Sequence, residues 1–401
     1  MNRRQFLHLG AAASVLQAAP APRKKIAAIS TTYFFRSHSD DVITRELEGY
    51  WIGERFYPPP IEIVSLYQDQ IHPADVGQKL AMAYGVPRKK TIADALTLGT
   101  GKLAVDGVIL IGEHGDYPFN DKGQQLYPRF EFFSQIVDVF QKSGRSVPVY
   151  SDKHLSYDWT KAKRMYDWSH ELKFPLMAGS SVPVTFRRPE IDCPLDSEFD
   201  GVLAVGSGWV TDGGIFHNLE VMQCFAERRK GGETGVRAVH HFAGDEVWKA
   251  AERGLWSKDL LHAALSRAER PGKVRLEDVK GPVFCLVEYN DGFRAGALML
   301  PGLVNEYLAA FRLKGKSSIE SSLLYCPPQN SNNFSMLTHG INQMLTTGTR
   351  PYSVERTLLT TGALSFLMES AYVGHKRLET PMLKIAYRAP EKSFYAHGKG
   401  S

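Results

Sequence analysis

The spacing of apolar and polar positions changes character once along this chain. Lys25-Ile26-Ala27-Ala28-Ile29 is a short apolar run with charge at its start and predicts a first strand. Ile61 to Tyr67 (IEIVSLY) predicts a second, after the stiff surface segment Tyr57-Pro58-Pro59-Pro60. Ala74 to Tyr84 has helical spacing, and Gly85-Val86-Pro87 stops it. Thr91 to Leu98 predicts a short strand turning into a helix. Asp106 to Gly112 (DGVILIG) is an unbroken apolar run, the pattern of a strand covered on both faces. Phe130 to Lys142 and Lys161 to Leu172 predict helices, while Val147 to Tyr150 and Pro175 to Gly179 predict strands. Strand and helix thus alternate from Lys25 to Gly179, which argues for a parallel sheet with right-handed crossovers.

After Arg187 the rhythm changes. Gly201 to Gly206, Val236 to Phe242, Val283 to Tyr289 and Arg294 to Leu300 predict strands, with Asn290-Asp291-Gly292 as a hairpin turn between the last two. Gly213 to Arg229 predicts a flanking helix. This half reads as a mixed, largely antiparallel sheet with one helical face.

Composition narrows the class. The 401 residues are 43% hydrophobic and 23% charged, which excludes a disordered chain and a fibre and suits two or three globular domains. No apolar run is long enough to cross a bilayer. The net charge of +5 is scattered apart from Arg23-Lys24-Lys25 and Arg88-Lys89-Lys90, so the basic stripe of a nucleic-acid binder is missing. Cys193, Cys224, Cys285 and Cys326 form no C-x-x-C pair, which argues against a zinc ribbon. The first 22 residues read as an address: Arg3-Arg4-Gln5-Phe6-Leu7, an apolar run from Leu9 to Ala19, and the small residues Ala18-Ala19-Pro20-Ala21. The twin arginine resembles a Tat signal and implies export to the periplasm. An oxidising compartment of that kind permits a disulfide.

Pro148 to Arg187 (PVYSDKHLSYDWTKAKRMYDWSHELKFPLMAGSSVPVTFR) resembles the glucose-fructose oxidoreductase / inositol dehydrogenase / MocA family, in which a strand ends in Glu-Lys-Pro before a helix. Here the triplet is Asp152-Lys153-His154. DGVILIG stands at the family's fourth strand, and Ala74 to Pro87 resembles its second helix. Asp212-Gly213-Gly214-Ile215-Phe216-His217 resembles its Asp-x-Gly-x-His element, and Thr346 to Leu378 its closing helices. The resemblance implies an α/β fold. A Rossmann-like dinucleotide-binding domain is expected over 23–155. A C-terminal α+β substrate and oligomerisation domain is expected over 156–401, with the helices near 346–378 packing back on the first. It also implies NAD or NADP as cofactor, a sugar, cyclitol or other polyol as substrate, and a dimer or tetramer, since an exposed sheet face needs cover.

By the same resemblance Lys153 and His217 are the catalytic candidates, handling a hydroxyl proton, with Asp212 as the group that orients His217. Asp212 stands five positions before His217, one more than in the family. The glycine-rich turn of a dinucleotide fold is absent: Ser30-Thr31-Thr32-Tyr33-Phe34-Phe35-Arg36-Ser37-His38 follows the first strand. Ser30, Thr31 and Thr32 are then the phosphate donors, Arg36 the neutralising charge and Asp69 the ribose ligand, with Tyr33 and Phe34 required to point away. Glu113, His114 and Asp152 complete the cofactor-facing set, and no metal ligand set is assigned. Trp159, Trp209 and Tyr117 are candidates to stack on a sugar face. Two function classes remain open. One is an exported NAD(P)-linked oxidoreductase. The other is a relative that has lost the dinucleotide and binds carbohydrate, or runs redox-neutral lyase, hydrolase or epimerase chemistry, metal-assisted through the Glu113-His114-Gly115-Asp116 loop with His154 or His217.

Overall fold

The computed structural model describes residues 22–206, 211–327, 331–398 and 400. The expected export signal, apart from its last residue, and Trp209 lie outside the described residues.

Six parallel strands form the first sheet: β1 (Lys24–Ser30), β2 (Ile61–Gln68), β3 (Arg88–Lys89), β4 (Gly107–Ile111), β5 (Val149–Asp152) and β6 (Leu176–Gly179). Their order is β3-β2-β1-β4-β5-β6, so the direction of winding reverses between β1 and β4. The sheet takes its last strand from beyond residue 155, because the helix after β5 crosses back and lays β6 alongside it. The helices of this half are α1 (Arg45–Glu48, entered through a helical turn at Asp40–Thr44), α2 (Gly77–Ala83), α3 (Ile92–Thr97), α4 (Arg129–Ser143) and α5 (Trp159–Glu171). The strand expected at Thr91 is absent. The Thr91 hydroxyl accepts from the Asp94 amide and caps α3 there instead.

Eight strands form the second sheet: β7 (Phe186–Arg188), β8 (Phe199–Gly206), β9 (Val236–Ala243), β10 (Val283–Tyr289), β11 (Arg294–Met299), β12 (Tyr307–Leu313), β13 (Glu320–Tyr325) and β14 (Leu378–Glu379). The order is β14-β9-β10-β11-β8-β12-β13-β7, and every pair is antiparallel except β8 with β11. Its helices are α6 (Asp212–Ala226), α7 (Asp245–Glu252), α8 (Lys258–Leu265), α9 (Asn333–Thr347) and α10 (Val354–Tyr372).

Alternation along β1 explains the layers. Ile26 and Ala28 face one way, packing with Ile109 and Ile111 against Leu337, Ile341 and Met344 of α9. Ala27 and Ile29 face the other way, with Val108 and Leu110, into the core built on Phe133, Ile136 and Phe140 of α4. A helix from the far end of the chain therefore closes the first sheet. α10 lies between the halves, touching α5, α6, β6 and β9.

The second sheet is covered on both faces. Val202, Ala204, Val239 and Ala297 pack against α6 and α10. On the opposite face Leu203, Val205, Phe242, Phe284, Leu298 and Leu308 pack against Val247, Trp256, Leu260 and Leu261 of the α7–α8 segment. The open face that the sequence left for a second copy is filled by the chain's own helices, so the argument for an oligomer from an uncovered sheet does not hold. The four cysteines are free, and Cys193, Cys224 and Cys285 are buried as small apolar side chains.

Candidate active site

The carboxyl ends of β1, β4, β5 and β6 converge on the first turns of α6. In an open α/β sheet this edge is where ligands bind. Lys153 follows β5 and takes a left-handed conformation, φ +60°, and His114 after β4 does the same at φ +69°. Such conformations cost about 1–3 kcal/mol each in a non-glycine residue and persist where the surroundings hold them. Here Gly179 donates its amide to the Lys153 carbonyl at 3.2 Å. The Lys153 Nζ lies 3.1 Å from Glu113 Oε1, and the other oxygen of Glu113 pairs with the buried guanidinium of Arg129, the first residue of α4. Arg129 Nη1 also donates to His154 Nε2 at 3.1 Å.

Burial alone would raise the Glu113 carboxyl, but Lys153 and Arg129 outweigh it and hold it well below the usual carboxylate range. Burial lowers His154 well below the ordinary imidazole value, and the Arg129 charge adds to this. Burial and the neighbouring His38 push His114 down to about 4. Glu113 is therefore an anion between two cations, and His154 and His114 beside it are neutral at pH 7.

His217 stands one turn into α6 and is buried, with its Nδ1 2.5 Å from Ser180 Oγ just beyond β6. Burial, then the Lys153 charge, lowers its pKa well below the ordinary value. Asp212 does not orient it. As the first residue of α6, Asp212 accepts from the Gly213 amide at 2.8 Å, and its other oxygen is buried without a partner among the described residues. Burial raises its pKa. The residue that fixes the His217 ring is Ser180, whose amide is in turn held by Glu220 at 3.0 Å.

Beside this cluster, at the β1–β4 switch point, lies a crevice of about 510 Å³ lined by Thr32, Phe34, Gln70, His72, His114 and Tyr127, among others. It differs from the expected cofactor cradle in several residues. Ser30 Oγ donates to the Thr32 carbonyl and accepts from the Ser39 hydroxyl, and Thr31 Oγ1 donates to the Glu113 carbonyl, so neither hydroxyl faces a phosphate. Arg36 lines a separate cleft with Asp40, Asp41 and Arg45. Tyr33 does point away, into the core beside Gly77, but Phe34 stays in the crevice against His72 and His114. Asp69 accepts from the Tyr67 and Tyr117 hydroxyls at 2.8 and 2.7 Å. Tyr117 is thereby engaged at the crevice rim, while Trp159 packs on Gly362 of α10. Asp152 binds His38, and Glu113 faces inward to Lys153.

Two polar atoms of the crevice suit a bound nucleotide. Thr32 Oγ1 and His114 Nε2 are buried without partners among the described residues. The helix start beyond β1 suits a pyrophosphate less well. The Asp40 and Asp41 amides are already capped by Ser37, Arg36 donates its amide to Asp40, and two carboxylates stand in the first turn. Thr32 and His114 are thus the residues that would hold a nucleotide here, by side chains and not by a glycine turn.

A myo-inositol 2-dehydrogenase from Lactobacillus plantarum superposes on this chain with a TM-score of 0.54 at 11% identity, over 89% of this chain and 99% of that one. A Gfo/Idh/MocA family oxidoreductase from Vibrio cholerae gives 0.54 at 14%, over 88% and 100%. The fold is that of the Gfo/Idh/MocA oxidoreductases. The WlbA dehydrogenase from Bordetella pertussis, solved with NADH and UDP-GlcNAcA, shares it with a TM-score of 0.52 at 12% identity, over 90% and 99%. No family model matches the sequence, and no curated protein does.

Within this Gfo/Idh/MocA fold Arg129 and His38, like Ser180, had no signal in the sequence. Arg129 opens an ordinary amphipathic helix, and its burial shows only once α4 is docked. His38 sits in the turn that replaces the glycines and reaches Asp152, 114 positions away. Among the described residues no group of three His, Cys, Asp or Glu is placed to hold a metal, and Glu113 is committed to two cations.

Proposed function

We propose that this chain is an exported NAD(P)-linked oxidoreductase acting on a hydroxyl-bearing carbon of a sugar, cyclitol or related polyol. The observation that carries the reading is the convergence of Lys153, charge-paired with Glu113, and the α6 turn bearing His217, beside a crevice at the switch point of the sheet. A dinucleotide bound there would accept or return a hydride. The chain's own part is to bind and orient the substrate. Lys153 donates to the reacting oxygen and stabilises negative charge on it as its proton leaves. Glu113 and Arg129 hold the Lys153 ammonium in place. His217, neutral and locked by Ser180, hydrogen-bonds a substrate hydroxyl. The near-complete burial of this cluster excludes water from the reacting atoms.

The test is release of dinucleotide. Protein purified in its folded form should liberate NAD(H) or NADP(H) on denaturation, or its melting temperature should rise by several degrees at saturating NADPH. The capped helix start favours one second reading, in which the same polar cluster runs redox-neutral chemistry on the same substrate class. Absence of both released and titratable dinucleotide would select it.

A further inference from the structure

His38 reaches across the end of β4, from the turn after β1, to the carboxyl end of β5. Its Nδ1 lies 2.6 Å from Asp152 Oδ2, and Asp152 is 1% exposed, with its other oxygen accepting from the Tyr150 hydroxyl at 3.1 Å. Phe334 and His114 stand edge-on to the imidazole at 4.8 and 5.4 Å, which fixes the ring plane. In the neutral ring, a carboxylate with both oxygens committed as acceptors selects the tautomer with the proton on Nδ1 and leaves Nε2 as a lone-pair acceptor. No described residue hydrogen-bonds that atom, and the side chain is 13% exposed.

His217 has the opposite polarity. Ser180 Oγ accepts from the Val182 amide at 3.0 Å and its O–H has no acceptor but His217 Nδ1 among the described residues, so the hydroxyl donates to that nitrogen. That places the His217 proton on Nε2 and makes this ring a donor. The junction thus holds two imidazoles of complementary tautomer, His38 on Asp152, the residue before Lys153, and His217 on Ser180, one fitted to accept a proton and the other to give a hydrogen bond. An Asp–His pair with a free Nε2 is the arrangement by which general bases are oriented in unrelated folds.

We propose that His38, positioned by Asp152, exchanges the proton of the substrate hydroxyl, and that His217 is a hydrogen-bond donor to the substrate. In the oxidative direction the O–H proton passes to His38 Nε2, giving an imidazolium paired with Asp152. The C–H electron pair and its hydrogen leave together as hydride to an oxidised nicotinamide dinucleotide, and the carbonyl forms. The reverse reaction returns both. The inference rests on reading this junction as a catalytic site, but the polarity of the two rings can be tested without dinucleotide or substrate.

The deciding experiment is tautomer assignment by long-range proton–nitrogen NMR on the full folded chain with labelled histidine, using His38→Gln and His217→Gln to assign the signals. His38 should carry its proton on Nδ1 and His217 on Nε2. In parallel, diethylpyrocarbonate, which attacks an unprotonated ring nitrogen, should modify His38 and spare His217 in peptide maps. Asp152→Asn should slow modification of His38 by about tenfold or more, since the amide favours the wrong tautomer. The opposite tautomers, or an Asp152→Asn protein with unchanged His38 reactivity, would overturn the assignment. With myo-inositol and NAD⁺ as probes, His38→Gln should lower kcat by about 10²–10⁴-fold, with KM and NAD⁺ binding nearly unchanged. Failure of the oxidoreductase reading would show separately, as no dinucleotide released and no turnover in the unmodified protein.

Discussion

Glu113 is the residue on which the site's electrostatics turn. It is buried between Lys153 and Arg129, and neither cation has another carboxylate this close among the described residues. Removing one partner of a buried charge network leaves the others uncompensated. Glu113→Ala is therefore expected to destabilise the fold by about 3–5 kcal/mol in denaturant titration. Lys153→Met removes the charge but keeps the stem. It is expected to abolish turnover while leaving dinucleotide binding measurable by fluorescence titration, and retained turnover would remove Lys153 from the mechanism. The sign of the pH dependence follows from the same groups. The Glu113 value lies well below 4.5, so its contribution is present in full above that pH and is lost as pH falls through the depressed value. His114 drops from 6.5 to about 4, so the unfolded chain binds a proton across that window that the fold refuses. Both effects make acid destabilising. The melting temperature should fall from pH 7 toward pH 4, and His114→Gln should flatten the part between 6.5 and 4. Little of this was legible in the sequence. Lys153 and His217 came from family-like motifs, whereas His38, Arg129 and Ser180 act through partners 16 to 114 positions away and carry no local pattern.

At the level of elements, the parallel sheet was readable because its strands are buried on both faces and run as unbroken apolar stretches, DGVILIG above all. The strands β7, β12 and β13 were not, since their identity depends on pairing with distant segments. The α7–α8 segment was also missed. Its apolar positions make sense only against a sheet face assembled from β8 to β13. Trp256 anchors it, donating its indole N–H to the Val247 carbonyl at 2.9 Å while the ring meets Phe284. Trp256→Ala is expected to cost about 3–5 kcal/mol and to expose apolar surface, readable as increased dye binding before unfolding. The approach of α6 to β8 is equally tight. A Cβ at Gly206 would fall 2.0 Å from the Asn218 amide, so Gly206→Ala should shift α6, and with it His217.

The molecule as a whole is stitched by its last helices. α9 closes a face of the first sheet and α10 touches both halves, so neither half keeps its core if the other unfolds. A single calorimetric transition is expected, and two resolved transitions would show that α10 does not couple the halves. A cleft larger than the crevice, about 780 Å³, lies between the second sheet and α8 near Asp200, Arg294 and Arg312, and none of the polar-cluster residues lines it. Volume alone is thus a poor guide to the site here, and the convergence of charged groups at a sheet's carboxyl edge is the better one.

The α7–α8 cover has a consequence for how the protein reaches its native state. A sheet that waits for a second copy must complete its core in a bimolecular step, and its stability then depends on how much protein is present. Here the covering helices lie on the same chain, α7 following β9 directly and residues 266–282 leading from α8 to β10. Burial of this face is an intramolecular event, so refolding should follow first-order kinetics and the unfolding midpoint should not move when the protein is diluted a hundredfold.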